Sequence, residues 1–221
     1  RRAFEQYYAA YIGLSNPIAA TYFGNVKKDV FLPRARGYDS CLQRALEGED
    51  VPVCVYENLI SAVHENLPAM HRYIALRKRI LGYDEQHMYD IYAPLVEDAD
   101  LKLSYEDACD LVVRGLSPLG DDYVALLRKG FSEGWVDVCE TAGKRSGAYS
   151  TGIFGLHPYV LLNYRQSTSD VFTIAHEMGH ALHTYFSNAA QPYAKADYRI
   201  FVAEVASTVN EVLLLKHILS Q

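Results

Sequence analysis

The sequence predicts a mainly α-helical fold with a small β-sheet beside one long helix near the C-terminal end. Three observations carry that prediction. Through most of residues 1–134, apolar side chains recur at three-and-four spacing, the period of helices with one inward face. From Trp135 to Gly155 that period gives way to Gly143, Gly147, Gly152 and Gly155 with Ser146, Ser150 and Thr151, the composition of tight turns and short strands. Beyond Thr168 the helical period returns in two stretches, and the first holds two histidines four residues apart.

Taken in order, Ala3, Phe4, Tyr7, Tyr8, Tyr11 and Ile12 mark the apolar face of a first helix. A second runs from about Pro17 to Leu32 and should break near Pro33, because proline removes a backbone donor and crowds the preceding turn. A third spans Gly37 to Glu47. Pro52 sits at the first turn of a helix over Val53 to Asn66, and Pro68 opens another through Met70, Ile74, Ile80 and Leu81. The basic residues Arg72, Arg77, Lys78 and Arg79 on that helix read as a solvated face, or as ion-pair partners for a missing domain. From Gly82 to Leu103 the pattern lapses, as in a long connection. Ser104 and Asp107 have the spacing of a capping box for a helix ending near Gly115, and Pro118 begins another that stops near Gly134.

Pro158 to Tyr164 is a compact β-branched and aromatic run, a strand placed directly before the histidine-bearing helix. It reads either as a core strand of a small sheet or as an edge able to pair with an extended peptide.

The helix starting near Thr168 or Ser169 carries His176-Glu177-Met178-Gly179-His180. Residues four apart on a helix lie on one face, about 6 Å along the axis. The two imidazoles can therefore hold one Zn²⁺ ion, and Glu177 lies where its carboxylate reaches a water without being a ligand. That is the donor set of metal-assisted hydrolysis with Glu177 as general base. His183 is on the same broad face but about 10.5 Å of helix rise beyond His176, so it reads as packed or supporting rather than as a ligand.

A third ligand must come from another element. In the next helix, from about Asp197 onward, Glu204 stands alone between apolar neighbours. A buried unpaired carboxylate is costly, so this one is expected to be buried against the cation. Glu211, two turns on, either accepts the outer N–H of a ligating histidine or lies exposed or in a salt bridge.

Composition narrows the classes. The net charge is -6 and there is no Lys/Arg-rich block, which argues against a nucleic-acid partner. No apolar run approaches the length of a membrane span. Cys41, Cys54, Cys109 and Cys139 form no paired spacing and read as free buried thiols in a reducing cytoplasm. The first residues are charged and lack a methionine, and Leu214 to Gln221 has no helix stop signal. Both features lead us to expect a piece of a longer protein.

At these residues the sequence resembles the thimet oligopeptidase-like zinc metallopeptidases, most closely their oligoendopeptidase F branch. The segment His176 to His183 matches that branch's HEMGHALH, and Phe201 to Thr208 matches its FVAE-hydrophobic-AST segment. The likeness extends through Gly24 to Phe31, Glu65 to Pro68 and His157 to Tyr164. It implies a zincin-like catalytic core, with residues 1–134 as helical shell and 135–221 as the sheet and zinc-binding helices of one peptidase domain. It implies one zinc per chain on His176, His180 and Glu204, Glu177 as base, and short peptides as substrates because a deep channel excludes folded protein. Family members also have an N-terminal helical part, and they continue into a C-terminal segment whose histidine and tyrosine stabilise the oxyanion. Neither is in this stretch, so the second reading is a zinc-binding piece that binds peptide without cutting it or needs the missing segment.

Overall fold

The computed structural model describes residues 1–96 and 101–221. The chain divides into two compact units, Arg1–Glu97 and Asp98–Gln221. Part of the connection expected over Gly82 to Leu103 therefore lies outside the described residues.

The first unit contains α1 (Arg2–Gly13), α2 (Ser15–Arg36), α3 (Cys41–Glu47) and α4 (Val53–Leu81), followed by a 3-10 turn over Met88–Tyr92. Two expected breaks do not occur. Pro33 lies inside α2, which continues one turn to Gly37 in the left-handed conformation, φ 77°. There the N–H of Tyr38 bonds to the Pro33 carbonyl, so the end of the helix is fixed by its glycine cap rather than by the proline. Pro68 lies within the 29-residue α4. The missing N–H deprives the carbonyl of His64, an exposed residue, and solvent can take that bond at small cost.

Arg77 corrects the reading of the basic run as a solvated face. Its side chain is only 6% exposed and donates to the carbonyls of Asp90 at 3.2 Å and Ala93 at 2.6 Å. One guanidinium thus closes the turn after α4, adding a second donor to the Asp90 carbonyl, which the Ala93 N–H already bonds, and one to the Ala93 carbonyl.

The second unit holds α5 (Tyr105–Gly115), a 3-10 turn (Ser117–Leu119), α6 (Asp121–Ser132), β1 (Val136–Asp137), β2 (Tyr149–Thr151), β3 (Tyr159–Leu161), α7 (Thr168–Ala190), a 3-10 turn (Tyr193–Lys195) and α8 (Ile200–Leu219). The expected strand is β3, and it lies between the other two, parallel to β1 and antiparallel to β2. It is the core strand, with Val160 buried; the edge strand against α7 is β2. Of the helical shell expected over residues 1–134, α5 and α6 pack with α7 and α8 in this unit. Val112, Leu116, Leu127, Trp135, Ile174, Met178 and Leu214 form one buried cluster, which fixes the angle at which α7 meets its neighbours.

Local chemistry sets the entry to α7. Ser167 and Asp170 form a complete capping box, so the helix starts at a defined residue. At α5, by contrast, Asp107 accepts from the Ser104 hydroxyl while its own N–H bonds to that oxygen. Between β1 and β2, the Lys144 ammonium binds the carbonyls of Asp137 and Cys139, and Asn163 donates to those of Arg145 and Gly147. These bonds pin a glycine-rich loop and thereby place β2.

All four cysteines are free, but only Cys109 is buried; Cys41, Cys54 and Cys139 are exposed. Burial pushes the Cys109 thiol up to about 12. In the native protein at pH 8, a thiol reagent should titrate three cysteines, with Cys109 reacting only on unfolding. Four equivalents reacting at one rate would contradict this placement. Among the described residues, no helix is long and apolar enough to cross a membrane.

Candidate metal centre

The site is built where α7 and α8 run antiparallel at close range. Gly179 makes that approach possible: a Cβ there would lie 2.7 Å from Ser207 Cα and 2.9 Å from the Ala206 carbonyl oxygen. The register is held by Asn210, buried in α8, whose Nδ2 donates to the Ala175 carbonyl at 2.9 Å. Its Oδ1 accepts from the Tyr123 hydroxyl of α6 at 3.0 Å. A buried amide with its partners in place specifies one alignment of the helices, because any slip leaves it unpaired.

That alignment brings Glu204 to the two histidines. His176 Nε2 and His180 Nε2 are 3.1 Å apart, and Glu204 Oε2 is 3.4 Å from each. The three atoms are the only such group of His, Cys, Asp or Glu ligand atoms found among the described residues. Ligands at zinc's usual 2.0–2.1 Å in a tetrahedron are separated by about 3.3–3.4 Å. The observed triangle therefore matches one face of a zinc tetrahedron. Two neutral nitrogens and one carboxylate oxygen are also a donor set that zinc accepts.

Glu204 is not buried as expected. Its side chain is 58% exposed, as are its neighbours Phe201, Val202 and Val205 in good part. What distinguishes it is its position opposite the imidazoles. The Ser207 hydroxyl donates to Oε2 at 2.8 Å, and this bond, with the two histidines, holds the Glu204 carboxyl below its ordinary value.

The outer ring nitrogens are also engaged. His176 Nδ1 is 2.5 Å from Glu211 Oε1, so of the two readings of Glu211 the partner of a histidine is the one observed. Donation of Nδ1–H to a carboxylate turns the Nε2 lone pair toward the group. His180 makes a backbone hydrogen bond to Ala203, and burial lowers its pKa, favouring the neutral imidazole. His183 is outside the group. Its ring stacks on Tyr198 at 3.7 Å, and its Nδ1 is buried without a hydrogen-bond partner among the described residues.

Glu177 is 7% exposed and borders a 390 Å³ cavity with His176, Phe172 and Glu211. Burial raises its pKa; His176 and a backbone hydrogen bond from Ser150 of β2 oppose that shift, and Glu204 adds to it. Strand β2 thus holds the carboxyl that stands beside the triangle. The sequence reading missed Gly179, Asn210, Ser207 and Ser150. Asn210 had a visible signal, a lone amide between Val209 and the apolar stretch that follows Glu211, like the one that singled out Glu204.

Comparisons with known proteins agree along the whole chain. It is 46% identical over 220 residues to Oligopeptidase PepF of Bacillus subtilis, covering 100% of this chain and 33% of that protein. To an Oligoendopeptidase F homolog of Lactococcus lactis subsp. lactis it is 42% identical over 221 residues, covering 100% and 37%. The chain thus spans about a third of the length of the curated relatives it matches. A crystal structure of a protein from Chlamydophila abortus superposes with a TM-score of 0.79 at 45% identity, over 89% of this chain and 33% of that one. Oligoendopeptidase-F from Enterococcus faecium gives 0.61 at 28%, over 97% and 30%. The model of peptidase family M3 matches residues 1–221, and with this full-length match the chain belongs to that family.

Proposed function

We propose that this chain carries the centre of a zinc-dependent endopeptidase that hydrolyses internal bonds of short oligopeptides, and that residues 1–221 are part of one catalytic domain. The observation that carries the reading is the triangle of His176, His180 and Glu204 with the buried carboxyl of Glu177 beside it. One Zn²⁺ held there would polarise the scissile carbonyl and lower the pKa of a water toward about 7. Glu177 takes the proton from the attacking water and passes it to the leaving amine. A carboxyl raised by burial suits that exchange, since it must hold the proton between the two transfers. On the outer edge of β2 the Ser150 N–H is engaged by Glu177, and the remaining main-chain groups there would pair with an extended peptide, a mode that tolerates many side chains. The unpaired cysteines are in keeping with a reducing, cytoplasmic location.

The test is metal content together with cleavage of an internally quenched peptide, with and without a chelator. One zinc per chain and chelator-sensitive cleavage within the peptide are expected. His180→Ala should lose the zinc, and an unchanged metal content would remove His180 from the ligand set. For Glu211→Ala, we expect zinc affinity to fall about 10–100-fold, read by chelator competition without any turnover. Equal affinity would make Glu211 a bystander.

One observation favours a second reading, that this stretch binds peptide but turns it over poorly. Among the described residues, the cavity at Glu177 is lined by the hydroxyls of Ser169 and Thr173 but by no tyrosine, and by no histidine besides His176, so the aromatic and imidazole donors best suited to an oxyanion are not among its lining. Loss of one such donor can cost about 10²–10³ in rate. Zinc-dependent peptide binding without cleavage would decide for it.

A further inference from the structure

The strand that holds Glu177 also walls a second cavity. Ser150, Thr151 and Gly152 bound a space of 720 Å³ that is also lined by Tyr193, Ala194, Ala196, Asp197 and Tyr198. Gly152 is where this wall meets α7: a Cβ there would collide with the Thr184 side chain, so the close approach depends on glycine.

The lining holds three aromatic rings and a single charge among small and polar residues. Phe154 and Tyr193 meet edge to face, 5.4 Å between centroids at 78°. Tyr198 is fixed by its hydroxyl, 2.9 Å from Thr184 Oγ1, and by its stack on His183. Asp197 is the one ionised residue in the lining. Its carboxylate makes no hydrogen bond or ion pair among the described residues. Lys195 and Arg199 adjoin it in sequence but do not line the cavity. Aromatic faces with one unpaired carboxylate attract a cation on an apolar stem: the stem lies along the rings, and the charge meets the π-faces and the carboxylate.

The cavity also lies at a usable distance. Thr184 follows Glu177 by seven residues, about 10 Å along the helix. An extended peptide advances about 3.3 Å per residue, so this cavity faces a side chain roughly three places from the bond beside Glu177.

We propose that the cavity is a subsite for a lysine or arginine side chain of the peptide substrate, with Asp197 as its specificity-determining residue. The proposal rests on the peptidase reading above. An acidic side chain at the same position meets like charge and is disfavoured.

The test uses fluorescein-labelled peptides that differ only in carrying Lys, Leu or Glu at one position, two to four residues to either side of the cleaved bond. Affinity is read by fluorescence anisotropy on the zinc-loaded Glu177→Gln protein, and kcat/KM on the unsubstituted protein. At one position Lys should bind about tenfold more tightly than Glu, with Leu between. Asp197→Asn should bring Lys and Leu together, and Asp197→Lys should reverse the order of Lys and Glu. Affinity indifferent to charge at every position, a preference for Leu over Lys, or a Lys preference that survives Asp197→Lys overturns the subsite. Cleavage of all three peptides at one rate overturns the subsite and leaves the peptidase reading standing. A Lys preference in anisotropy with no cleavage of any peptide does the reverse.

Discussion

Glu177→Gln should leave one zinc bound per chain and lower kcat on a quenched peptide by about 10²–10⁴, the usual worth of a positioned general base. The substitution is nearly isosteric, so the 390 Å³ cavity and the backbone bond to Ser150 should be retained. An amide, however, cannot accept the water's proton. Because the proposed zinc ligands are other residues, metal affinity should change little and KM should hold within a few-fold. A variant that loses its zinc would make Glu177 structural, and one that keeps its turnover would remove it from the reaction.

Gly179→Ala should disable the site from a residue that touches neither metal nor substrate. The added methyl would lie 2.7 Å from Ser207 Cα and 2.9 Å from the Ala206 carbonyl oxygen. These are backbone atoms and cannot rotate away, whereas ordinary carbon contacts need about 3.5–4.0 Å. Helix α8 must therefore retreat from α7 by about 1 Å, carrying Glu204 and Glu211 with it while the histidines stay. Overpacking of this kind costs about 1–3 kcal/mol of stability. The larger consequence is for the metal: we expect zinc affinity to fall more than tenfold, since one corner of the triangle moves. Gly24→Ala is the control, because nothing lies within 4 Å of a Cβ there. Chelator competition on both variants checks the prediction, and unchanged affinity in Gly179→Ala would show that this contact does not set the distance between the helices.

The histidine pair and its adjacent carboxyl were legible because their geometry is intrinsic to one helix. Four residues of rise and one turn of rotation bring His176 under His180 whatever surrounds them. The small sheet was legible for a similar reason, since glycine and β-branched residues restrict the backbone locally. Glu204 was singled out as a residue apart by an argument from burial that its 58% exposure contradicts; what the structure shows is its place opposite the two imidazoles. The proline breaks failed because a single missing hydrogen bond is a local penalty. In α4 an exposed carbonyl bears it, and in α2 the helix runs on to its glycine cap. Arg77 failed in the opposite sense, because nothing in a run of basic residues tells which one will find buried carbonyls to bond.

By itself, then, the sequence determined the mainly helical class, the strand before α7, the placement of His176 and His180 on one helix face with Glu177 beside them, and the free state of the cysteines. Only the tertiary structure decided which carboxylate completes the triangle, which one orients His176, and that His183 is packed on Tyr198. Those outcomes depend on the separation and register of two helices, set by Gly179 against Ser207 and by Asn210 bonded to Ala175 and Tyr123. Periodicity specifies which face of a helix turns inward, but the register of α7 on α8 comes from contacts between residues some thirty positions apart, and local sequence does not encode such a distance.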